Sequence, residues 1–143
     1  MKPIRIVLAF VLLSAAVAFA QGSPRVEVVK SAVCGCCSGW VGHMRLNGFE
    51  VIARDVSDLA AERRKLGMPD RLTSCHTSKV GGYVIEGHVP AADIRRLLKE
   101  KPQALGLAVP SMVTGSPGMD GPKKAYDTLL VARDGSTSVF ASH

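Results

Sequence analysis

The stretch VCGCCSGW, residues 33–40, sets Cys34, Cys36 and Cys37 within four positions, and the chain has one further cysteine, Cys75. Thiols so crowded have three uses: a structural disulfide, redox exchange, or capture of a soft metal ion. Cys34 and Cys37 stand in C-x-x-C spacing, with Cys36 between them. A disulfide restricts both the separation of its β-carbons and its torsion, so a bond between Cys36 and Cys37, or between Cys34 and Cys36, is strained. Cys34–Cys37 closes easily and leaves Cys36 to find Cys75. Where such a stretch opens a helix, the unpaired N–H groups and the helix dipole favour thiolate over thiol.

The surrounding elements decide where these sulfurs sit. Residues 25–30 (RVEVVK) are short and β-branched, a strand that ends at the cysteine loop. Cys37, Trp40, Val41 and Met44 then recur at helical spacing from Cys36 to Asn47, and Gly48 stands where a helix-ending glycine belongs. Gly39 and Gly42 oppose that helix by about 1 kcal/mol each against Ala. Residues 49–56 alternate like a second strand, and Ser57 or Asp58 caps a helix that runs to Leu66 and is closed by Gly67 and Pro69. A short strand up to Val80, a Gly81-Gly82 turn and a strand at residues 83–86 (YVIE) follow. The next helix has Pro90 in its first turn, Ile94, Leu97 and Leu98 inside, and Pro102 as its stop. This is an α/β order with a parallel start and a late hairpin, an order shared by thioredoxin-like folds. Beyond about residue 103 comes an extension: an irregular Met/Gly/Pro segment, AVPSMVTGSPGMDGPKK, then a hairpin of YDTLLVAR and TSVFAS turning at Asp134-Gly135.

In a thioredoxin-like order the hairpin is entered beside the C-x-x-C loop, usually at a proline. Here that place is held by Cys75, which brings His76 with it. Four thiolates at one point repel unless protonated, oxidised in pairs or bridged by cations, and Cu(I) and Zn(II) are the usual soft candidates. Met112 and Met119 lie in the irregular segment, where no periodicity calls for an apolar residue. Thioether sulfur binds Cu(I) and is a poor zinc ligand, so they favour copper, the alternative being that they fill gaps over the core. Met44 is at core spacing. His76 either ligates or serves a polar turn, and His88 either ligates or caps the helix that follows it. His43 lies about 10 Å beyond Cys36 by helical rise, too far to share a metal. Trp40 is a lid or a core residue beside the motif.

Residues 1–20 carry Lys2 and Arg5, an apolar run and Ala18-Phe19-Ala20, the pattern of a secretory signal that is cut off. The run is short for a membrane anchor. The expected mature chain is one domain over residues 21–143, exported to an oxidising compartment, the periplasm, where bare thiols do not persist. The formal net charge of +6 falls by two with the loss of Lys2 and Arg5. The remaining bases are scattered apart from Arg63-Arg64-Lys65 and Arg95-Arg96, which read as solvated helix faces. With few aromatics to interleave, nucleic-acid binding is excluded. No G-x-G-x-x-G, HExxH or nucleophile–base set is present. A monomer, free of the membrane once the signal is removed, is expected.

Together VCGCCSGW, SCHTSKVGGYVIEGHVPAADIRRLL and GLAVPSMVTGSPGMD resemble a family of exported, thioredoxin-like metal-binding proteins of bacteria that includes the CopG-type copper resistance proteins. The resemblance covers roughly Val26 to Phe140. It implies a thioredoxin-like domain with a C-terminal extension, copper bound beside the C-x-C-C loop, and a role in copper tolerance through a change of copper oxidation state, with a periplasmic copper-export or redox partner. It carries Cys34, Cys36 and Cys37 over as the motif, Cys75 as the distal cysteine, and Met112 and Met119 as the extension methionines. Two other functions fit the same residues: a metal-free thiol–disulfide oxidoreductase using Cys34 and Cys37, and a secreted interaction domain held by Cys34–Cys37 and Cys36–Cys75 disulfides.

Overall fold

Residues 22–143 are described by the computed structural model of the protein, and the signal segment read at 1–20 lies outside them. The chain forms β1 (Arg25–Lys30), α1 (Gly35–Leu46), β2 (Glu50–Asp55), α2 (Leu59–Lys65), a 3-10 turn (Asp70–Leu72), β3 (His76–Val80), β4 (Tyr83–Glu86), α3 (Ala91–Glu100), β5 (Gly106–Ala108), β6 (Asp127–Val131) and β7 (Thr137–Ser142). In β1, Val26 and Val28 are buried while Arg25 and Glu27 are exposed, the alternation of a half-covered strand. α1 buries Cys37, Trp40, Val41 and Met44. It ends at Gly48, whose φ of +78° suits glycine. α2 is capped by Asp58, whose carboxylate accepts from the Ala61 N–H at 2.8 Å. Pro90 stands just before α3, which buries Ala91, Asp93, Ile94 and Leu97.

The strands make one mixed sheet in the order β2-β1-β3-β4-β5-β6-β7. β1 is parallel to β2 and antiparallel to β3, and β3 and β4 form a hairpin. The sequence pattern missed β5. This strand runs parallel to β4 and antiparallel to β6, so the C-terminal hairpin continues the sheet. Gly106 permits it, because a Cβ there would lie 1.7 Å from the Val84 carbonyl oxygen.

Trp40, Met44, Ile85, Ile94, Leu97 and Leu107 are fully buried between sheet and helices with Val26 and Val28. Trp40 is thus a core residue, and its Nε1–H donates to the Val89 carbonyl at 2.8 Å. Arg63 departs from the solvated face read in the sequence. It is 3% exposed and turned inward to Glu86. Its Nε–H donates to Glu86 Oε1 at 2.8 Å and its Nη2 to the Ser74 carbonyl at 2.9 Å. No helix among the described residues is long and apolar enough to cross a membrane.

Candidate metal centre

β1 delivers the chain to Cys34, the N-cap of α1, and no acidic residue stands in that helix's first turn. The motif sulfurs therefore sit at the positive end of a helix. Cys34 and Cys37 are joined as a disulfide, while Cys36 and Cys75 are free thiols. Cys36 Sγ lies 3.5 Å from Cys34 Sγ and 3.6 Å from Cys75 Sγ. Cys75, immediately before β3, also places its Sγ 2.9 Å from His88 Nε2 and 3.6 Å from His76 Nδ1. Two donor groups result, one of all four cysteines and one of Cys75, His76 and His88, each with its ligand atoms within 4.8 Å of one another. Cys75 belongs to both.

The histidines are held for different reasons. His88 does not cap α3. Its Nδ1 is 2.7 Å from the Pro117 carbonyl. A carbonyl only accepts, so Nδ1 carries the proton and the Nε2 lone pair faces Cys75. Capping falls to His43, whose Nε2 accepts from the Ala91 N–H at 3.1 Å. His76 is fully buried between Trp40, at a ring distance of 4.5 Å, and His88, at 5.0 Å. Its Nε2 has no hydrogen-bond partner among the described residues. Burial, and then the neighbouring His88, push its pKa down to about 3, so it stays neutral. Burial also lowers His88, opposed by the Pro117 carbonyl. Burial first, then the hydrogen bond and charge of Cys36, push the Cys75 thiol up to about 12. Without metal this sulfur is protonated, which relieves the repulsion expected of converging thiolates, and an arriving soft cation must displace the proton.

The segment from 109 to 126 lies over the centre as a strap. Gly118 rests on the first turn of α1, where a Cβ would come 2.3 Å from the Trp40 nitrogen and 2.9 Å from the Cys36 carbonyl oxygen. A Cβ at Gly39 would meet Gly118 at 3.0 Å. The glycine that weakens α1 is therefore what lets the strap reach it. Ser111 is held at φ +65°, its N–H on the Thr73 carbonyl at 2.9 Å and its own carbonyl accepting from Ser74 Oγ at 2.5 Å. Left-handed backbone is costly for a residue with a Cβ, and these two bonds fix it. Met112 follows, 60% exposed, and lines a cleft of about 170 Å³ with Thr73, Ser74, Cys75 and Ser111. Met119 is half-buried on the strap, its N–H on the Ser116 carbonyl at 2.9 Å. Met44 is core, as its spacing implied.

Beneath Cys75 lies a support that the sequence pattern did not reveal. Glu86 Oε1 accepts from the Ser74 N–H at 2.7 Å as well as from Arg63, so the buried pair grips both backbone groups of Ser74. Burial raises the Glu86 carboxyl above its usual range, opposed by Ser74 and Arg63. The available signal was a lone carboxylate ending the apolar strand YVIE, since a buried acid needs a partner.

Residues 72–119, which hold Cys75, His76, His88 and both strap methionines, match a family described as "Protein of unknown function, DUF411". Among solved structures, "Copper resistance protein copG- Form 2" is 41% identical, covers 85% of this chain and 98% of that chain, and has a TM-score of 0.81. "Copper resistance protein copG- Form 1" is 41% identical, covers 83% of this chain and 96% of that chain, and has a TM-score of 0.79. The comparison with curated proteins gave no match.

Proposed function

The chain belongs to the family of the copper resistance protein copG, and on that premise we propose that it is a periplasmic copper-binding protein that contributes to copper resistance and interconverts Cu(I) and Cu(II). The observation that carries this reading is the sharing of Cys75 between a four-cysteine group and a pair of buried imidazoles. Thiolates and thioethers suit Cu(I), and imidazoles suit copper in either state. The donor set fits: Cys36 and Cys75 are free, His76 has a buried ring nitrogen without a partner, and His88 turns a lone pair towards Cys75. Cys34, Cys36, Cys37, Cys75, His76 and His88 would hold the ion, with Met112 and Met119 reaching it from the strap. Cys34 and Cys37 join the donor set only once their bond is reduced. Copper, when bound, supplies one-electron chemistry. The chain's part is to orient the donors and keep His76 neutral. In this reading residues 1–20 are a removed signal, and 21–143 are a single thioredoxin-like domain with a C-terminal extension from about 103.

The test is metal retention. Reduced protein offered copper and zinc together, then dialysed, should keep copper and show thiolate-to-copper charge-transfer absorption. Retention of zinc with exclusion of copper overturns the proposal. A second reading, a metal-free thiol–disulfide oxidoreductase, draws support from the Cys34–Cys37 bond in C-x-x-C spacing. Insulin reduction by metal-stripped protein that depends on Cys34 and survives loss of Cys75 would favour it.

A further inference from the structure

We infer that Cys36 and Cys75 are a built-in electron store, which reduces two cupric ions per chain and closes a second disulfide. This rests on the copper reading above and adds to it the source of the electrons. With Cys34 already joined to Cys37, two thiols are left, Cys36 on α1 and Cys75 just before β3. Their sulfurs are 3.6 Å apart. A disulfide is about 2.05 Å long, so closure needs an approach of about 1.5 Å, within reach of side-chain rotation. Cys34 is equally near Cys36, at 3.5 Å. Attack on its bond would only exchange one disulfide for another and move no electrons out of the protein. The route that releases electrons is therefore the one between Cys36 and Cys75.

The surroundings suit a cupric oxidant. Cys75 Sγ is 2.9 Å from His88 Nε2 and 3.6 Å from His76 Nδ1, so imidazole nitrogens and the reducing sulfur are in one place. In the step, each of the two sulfurs gives one electron to one Cu(II). Both S–H bonds break, one S–S bond forms, two Cu(I) are produced, and the two protons pass to solvent. All four cysteines then stand in disulfides. The Cu(I) is left with imidazole and thioether donors, which gives Met112 and Met119 a role as acceptors of the product.

The experiment uses the metal-free chain prepared with one disulfide and two free thiols, mixed anaerobically with excess cupric salt and a Cu(I)-selective colorimetric chelator. Two Cu(I) per chain should appear with a first-order rate constant that does not change with protein concentration. Both free thiols should vanish, and peptide mapping should link Cys36 to Cys75 in a monomer. Cys36→Ser, checked for folding by circular dichroism, should yield no intramolecular bond and at least a tenfold slower release of Cu(I). Zinc salt in place of copper should leave both thiols intact. Persistence of the thiols, or disulfides formed between chains at a concentration-dependent rate, overturns the inference. If copper is nonetheless retained, the binding proposal stands alone. If no copper is retained and none is reduced, both fail.

Discussion

Acid should unfold the metal-free protein through His76, and the size of the effect follows from its burial. The folded state holds this imidazole at a pKa of about 3, against 6.5 for an unperturbed histidine. Below pH 6.5 the unfolded chain takes up a proton that the folded chain refuses, so stability present above 6.5 is lost as the pH falls towards about 3. Each pH unit below 6.5 removes about 1.36 kcal/mol, so going from pH 7 to pH 5 costs about 2 kcal/mol. That is a large part of a stability of about 5–15 kcal/mol. Urea unfolding of wild type and His76→Phe at pH 7, 6 and 5 measures it. Phenylalanine keeps a ring against Trp40 and cannot take the proton, and His88 is present in both proteins. Wild type should lose about 2 kcal/mol more than the variant over that range. Equal losses would refute the reasoning, because they would mean that the folded protein accommodates the His76 cation.

Arg63→Met should cost about 3–5 kcal/mol in chemical denaturation, since it strands the Glu86 carboxylate in the core; a loss under about 1 kcal/mol would show the pair to be solvated. Gly118→Ala should lift the strap from α1, because the new Cβ would meet the Trp40 nitrogen at 2.3 Å and the residue would be held at φ +81°. Limited proteolysis should then cut within residues 111–121 faster than in wild type, and an unchanged pattern counts against the contact. Replacing Met112 and Met119 together by Leu should cost less than about 1.5 kcal/mol per site. Copper retention should fall while zinc binding to the cysteines is unchanged, and copper bound as tightly and in the same amount would make both residues mere packing.

The first seven regular elements were legible because each carries its own signal: β-branched residues in β1, helical spacing in α1 and α3, Asp58 before α2, glycines at the ends. β5 was not, since a three-residue strand buried throughout has no period to detect, and its cause, the fit of Gly106 against Val84, lies in another strand. Arg63 was misread for the same reason. Its helix is rich in charge, and only the approach of Glu86, 23 residues on, turns it inward. In the candidate site, residue types and spacing pointed to Cys36 beside Cys75, and the structure puts them at 3.6 Å. They could not distinguish ligation from capping at His88, because the alternative cap is His43, a residue on a different helix. The clamp on Ser74 and the Gly39–Gly118 contact join segments far apart in the chain, where local pattern carries no information.

The strap leaves the sheet from β5 and returns to it in β6, and these strands are hydrogen-bonded neighbours, with Ala108 opposite Leu129. Its ends are therefore held together whatever its length. Doubling such a loop costs only about 0.6 kcal/mol of closure entropy. The segment can thus be lengthened, or its side chains changed, while the sheet and the cysteine cluster stay as they are. The fold separates a thiol platform fixed by the sheet from a cover of adjustable length, so that what the cover presents to the cysteines can change without a new architecture.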